Sequence, residues 1–63
     1  MKYKVMLESN ITGFPGDLMT LEWSGILHDS REEARKEMST IGRDARERCN
    51  IVTVYIQEVE YDN

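Results

Sequence analysis

The sequence predicts a small α+β domain of order β-β-α-β: a three-stranded, mostly antiparallel sheet with one helix packed on one face. Three observations carry that prediction. Residues 2–8 alternate with period two, a capping box precedes an apolar stripe at helical spacing from Ala34 to Cys49, and Ile51–Ile56 is a β-branched and aromatic run. At 63 residues the chain is a single domain, 1–63. A domain this small buries only about 60% of the surface its unfolded chain exposes, which makes it marginally stable. Hydrophobic residues at 40% and charged residues at 32% mark a folded domain rather than a disordered tail.

The first strand places Tyr3, Val5 and Leu7 on one side and Lys2, Lys4 and Glu8 on the other, with Met6 interrupting the polar face. Ser9–Asp17 is dense in turn formers: Gly13 and Gly16 permit positive φ, and Pro15 biases Phe14 toward an extended backbone. Residues 18–27 read as a second strand, antiparallel to the first, with Met19, Leu21 and Trp23 on one face. A bulge or bend at Ser24-Gly25 would return Ile26 or Leu27 to the core side.

Ser30-Arg31-Glu32-Glu33 opens the helix as a capping box, and Asp29 with Glu32 fits the same pattern one residue earlier. Ala34, Met38, Ile41, Ala45 and Cys49 then form a narrow apolar stripe. Glu32/Lys36 and Asp44/Arg48 are favourable i,i+4 pairs, and Asn50 suits a left-handed cap. The helix so read has about 18 residues and spans roughly 27 Å, matching an eight-residue strand. Gly42 inside it costs about 1 kcal/mol relative to Ala and marks close packing or a kink after Thr40. The third strand has Val52, Val54 and Ile56 on one face and Ile51, Tyr55 and Val59 on the other. The preferred strand order is 2-1-3, with the first strand central; 1-2-3 is the alternative.

Charge and cysteine content bound the function. A formal net charge of −4 opposes direct nucleic-acid binding, which draws its affinity from phosphate contacts. The helix set Arg31, Arg35, Lys36, Arg43, Arg46 and Arg48 is neutralised by interleaved acids. The single Cys49 forms no internal disulfide and reads as a small core residue near a helix C-terminus, where thiolates are disfavoured. No run approaches the roughly 20 apolar residues of a membrane helix, and no signal peptide opens the chain. The expectation is a cytoplasmic protein that does not engage membranes.

No catalytic set converges. The one histidine, His28, is flanked by Asp29, but neighbours in an extended segment face opposite ways, so it reads as a loop histidine. One Cys and one His do not make a zinc site. Gly13-Phe14-Pro15-Gly16 lacks the pattern and following helix of a phosphate loop. No catalytic, metal or cofactor residue is therefore assigned, and the chain is expected not to be an enzyme. Glu58, Glu60 and Asp62 repeat at roughly 6.6 Å if extended, near two base-pair rises of about 3.4 Å. They are candidate partner-binding residues, weighed against the ordinary role of charges that protect a strand end.

Met1–Glu8 and Asp29-Ser30-Arg31-Glu32-Glu33-Ala34 resemble the first strand and helix entry of HicB-type antitoxin domains. The chain departs from that family in lacking its proline-glycine-cysteine stretch before the helix and a separate DNA-binding segment after it. The resemblance implies an antitoxin-like regulatory domain.

The leading functional expectation is a non-enzymatic, acidic protein-interaction module, such as an accessory or regulatory protein of a phage or mobile element. The alternative is an inhibitor that mimics nucleic acid and fills a basic groove with Glu58, Glu60 and Asp62. One helix covers one sheet face, so Met6, Ile51, Tyr55 and Val59 are expected to face water and to join two copies as a homodimer. The competing expectation folds the loop carrying Ile11 and Phe14 under that face.

Overall fold

A computed structural model describes residues 1–61. The elements run β1 (Lys2–Ser9), β2 (Met19–Glu22), α1 (Arg31–Ser39), α2 (Arg43–Arg48) and β3 (Ile51–Val59). The sheet order is β2-β1-β3, and both pairings are antiparallel. Val5 pairs with Ile56, and Leu7 lies between Leu21 of β2 and Val54 of β3. The alternating residues of β1 thus meet alternating residues on both sides, as the period-two pattern requires.

The core is thin. Val5, Ala34 and Ile41 form its buried centre, with Tyr3, Trp23, Met38, Ala45, Ile51, Val54 and Ile56 packed around them. The Cα atoms span 40 × 21 × 12 Å, as expected for one sheet with short helices on one side. The helices lie over β1 and β3 and leave β2 uncovered.

The helix starts as the capping box predicts: the Glu33 N–H donates to Ser30 Oγ at 3.2 Å. The Glu33 carboxylate reaches one residue further back, accepting from the Asp29 N–H at 3.3 Å. The single helix, however, is two. Ser39 Oγ donates to the Lys36 carbonyl at 2.7 Å and Thr40 Oγ1 to the Glu37 carbonyl at 2.6 Å, taking up acceptors at the end of α1. Gly42 follows in extended conformation (φ −79, ψ 170) and serves as N-cap of α2. The break turns Ile41 fully into the core, at 5% exposed. Asn50 takes the left-handed conformation expected of it (φ 51) and ends α2.

Four further expectations are corrected. The second strand is four residues long, not ten. Gly25 at φ +77 turns the chain away after Trp23, and Ile26 and Leu27 stay exposed rather than returning to the core. Cys49 is exposed, because α2 stops at Arg48 and the stripe loses its last member. A β-bulge pairs Thr53 with Glu8 and Ile51 with Ser9, so Val52 drops out of register. Ile51 therefore packs on the core and Val52 is 60% exposed, the reverse of the strict alternation predicted.

Met6 also departs from its predicted place in water. It is 7% exposed, because it sits on the central strand with Tyr55 on one side and Glu22 on the other. Nor does the loop wrap beneath the sheet: Phe14 is 71% and Ile11 56% exposed. No helix among the described residues is long and apolar enough to cross a membrane.

Candidate functional site

The helices leave a strip of the sheet open, and the strip is apolar. A cleft of about 540 Å³ runs beside β2, lined by the apolar Leu7, Ile11, Leu21 and Trp23 and also by the charged Glu22 and Arg48, with Ser9, Cys49 and Asn50 completing it. Its volume lies within the range of small-ligand and peptide sites. The corner that closes it is held by Ser9 Oγ, which donates to the Cys49 carbonyl, and by the Asn10 N–H, which donates to the Asn50 carbonyl at 3.0 Å.

All four residues of β2 are exposed. Leu18, Met19 and Leu21 are 44, 51 and 37% exposed along this sheet edge, and Ile26 and Leu27, 53 and 41% exposed, follow beyond the turn at Gly25. The ladder sets which backbone groups are free. The Trp23 N–H donates to the Val5 carbonyl at 3.0 Å, and Tyr3 and His28 exchange both backbone bonds at 2.9 and 2.7 Å. Antiparallel alternation then aims the N–H and C=O of Met19, Leu21 and Trp23 at β1, and those of Thr20 and Glu22 outward. Glu22 itself is tied to Lys4 Nζ at 2.6 Å on the opposite face.

A second cluster sits where β2 gives way to α1. Glu37 accepts from Ser24 Oγ at 2.8 Å with one oxygen and meets His28 Nε2 at 3.2 Å with the other. The carboxylate stands between hydroxyl and imidazole and orients both. Asp29, the sequence neighbour of His28, instead pairs with Lys2. That contact holds the Asp29 carboxyl below its ordinary value of 3.8 and the Lys2 ammonium above 10.5.

The acidic series does not form one continuous ladder. Glu58 lies opposite Tyr3 on the helix side, 3.8 Å from the Arg31 guanidinium and 3.4 Å from the Tyr3 hydroxyl. β3 ends at Val59, so Glu60 lies beyond the strand, and Asp62 lies outside the described residues. Of the four residues predicted for self-association, Tyr55 and Val59 are partly exposed, Met6 is buried and Ile51 belongs to the core. Among the described residues no group of three or more His, Cys, Asp or Glu is placed to hold a metal ion.

Sequence reasoning missed the β2 edge and the Glu37 cluster. The edge had a signal: the helical stripe carries two alanines and one residue per turn, too narrow to cover three strands. The Glu37 cluster had none, because its members meet only through the turn at Gly25. No family model, curated protein or solved structure matches the chain. The likeness to HicB-type antitoxins thus rests on its two short segments.

Proposed function

We propose that the protein is a non-enzymatic, acidic protein-interaction module that docks through the β2 edge and the apolar cleft beside it. The observation that carries this reading is the uncovered strand: Thr20 and Glu22 present free backbone groups while Met19 and Leu21 are 51 and 37% exposed on the same strand, Leu21 lining the cleft. Strand addition to such an edge takes affinity from main-chain bonds and selectivity from the side-chain pockets beneath. The apolar wall favours a partner that brings aliphatic or aromatic side chains.

Affinity capture from host extract, comparing wild type with Leu21→Lys, tests the reading. A protein retained by wild type and lost with the variant supports it. An unchanged profile, or turnover in hydrolase, nuclease or transferase panels abolished by one point change, overturns it.

A further inference from the structure

We infer that the β2 edge pairs with the β2 edge of a second copy of this chain, in an antiparallel register centred on Leu21. The inference rests on the interaction reading above and specifies its partner. The strand is complementary to itself in this register. Residues directly opposite in an antiparallel pair lie on the same sheet face, so the symmetric registers centre on residue 20, 21 or 22. Centring on Glu22 opposes two like charges. Centring on Thr20 sets the Glu22 carboxylate against the apolar Leu18, where neither a hydroxyl nor an opposite charge meets it.

Centring on Leu21 places Leu21 against its own copy, Met19 against Trp23 and Thr20 against Glu22. Thr20 and Glu22 are the residues whose N–H and C=O point outward, so they become the hydrogen-bonded pairs, and two-fold symmetry closes the same pair twice. Met19 and Leu21 meet apolar partners on the helix side. Glu22, already neutralised by Lys4, meets a hydroxyl on the other.

The rest of the fold leaves room for this pairing. The two-fold axis stands normal to the sheet, giving the order β3-β1-β2-β2-β1-β3 with all helices on one face. The helices pack only on β1 and β3 and leave the central strip clear. The two clefts then merge into one trough lined by Leu7, Leu21 and Trp23 of both copies.

The two sheet edges also differ in protection. β3 carries a bulge at Val52 and exposed Thr53, Gln57 and Glu58, the devices by which edge strands avoid pairing. β2 has no Lys, Pro or bulge, and only its four-residue length limits pairing.

Cysteine crosslinking in a Cys49→Ser background tests the register. Non-hydrogen-bonded antiparallel partners stand about 4.5 Å apart at Cα, within the range of a disulfide. Leu21→Cys is therefore expected to oxidise to a covalent dimer, whereas Thr20→Cys and Tyr55→Cys are not. Sedimentation equilibrium of the unmodified chain is expected to give twice its 7.4 kDa mass, reverting to monomer with Leu21→Lys. Crosslinking through Thr20→Cys or Tyr55→Cys in place of Leu21→Cys, or a monomer at millimolar concentration, overturns the inference. A monomer whose captured partner is still lost with Leu21→Lys overturns self-pairing alone and leaves the interaction reading standing.

Discussion

His28 Nε2 lies 3.2 Å from Glu37 Oε1, and this contact fastens the segment after β2 to the last turn of α1. The same carboxylate holds Ser24 Oγ, while His28 exchanges backbone bonds with Tyr3. The stretch from Ser24 to His28 is therefore pinned to both layers, although Ile26 and Leu27 on it face outward. Both side chains of the pair are largely shielded from water, at 15 and 14% exposed.

Glu37→Ala removes two acceptors at once and leaves a hydroxyl and an imidazole without their partner. The expected loss is about 1–3 kcal/mol, read as a lower urea midpoint at unchanged slope. Glu37→Gln retains a carbonyl for one of the two donors and should lose less. No loss for Glu37→Gln beside a full loss for Glu37→Ala would mean that the carboxylate only fills space.

Lys2 and Asp29 give the opposite case, an exposed pair whose effect is read through pH. The hydrogen bond from Lys2, then its charge, hold the Asp29 carboxyl below 3.8. A depressed carboxyl stabilises the fold above its unfolded value, and the effect is lost as pH falls through the lower folded one. Lys2 is raised above 10.5, first by the hydrogen bond to Asp29, so its share is present below that value and is lost as pH rises through the folded one. Thermal midpoints of wild type and Asp29→Asn should differ by a constant amount from about pH 5 to about pH 9. They should converge below 3.8. A difference that persists in strong acid would assign it to helix capping instead.

The bulge between Glu8 and Ser9 decides which neighbour in β3 is structural. Ile51→Ala should cost about 2 kcal/mol, toward the low end for truncating isoleucine because the side chain is only partly buried. Val52→Ala should stay within about 0.5 kcal/mol. Equal costs would place the register shift elsewhere.

These two residues also mark how far the sequence could be read. The capping box at Ser30 and the left-handed Asn50 are local signals, and each appears in the fold as expected; alternation placed β1 in the sheet but not its burial, since Val5, Met6 and Leu7 are all buried. The bulge is not local, since it depends on Ser9 reaching the Cys49 carbonyl across the sheet. The cleft is likewise made by what the helices fail to cover. Its residues, Leu21 and Trp23, look in the sequence like ordinary members of an inward strand face.

Gly42 carries the last prediction, because its predicted and observed roles have opposite signs. Inside one long helix, Gly42→Ala would remove a cost of about 1 kcal/mol. In the fold Gly42 is instead the N-cap of α2, at negative φ, with no side-chain bond to the first turn and open space where a Cβ would stand. Its extended backbone suits an aspartate or serine whose oxygen accepts from an N–H two or three residues on. Asp at this position also faces the positive end of the α2 dipole. Gly42→Asp is therefore expected to raise stability by a few tenths to about 1 kcal/mol, and to exceed Gly42→Ala in equilibrium urea unfolding. If alanine proves the better residue, α1 and α2 join into one helix in solution. Ile41 would then lose the turn that places it against Val5 and Ala34.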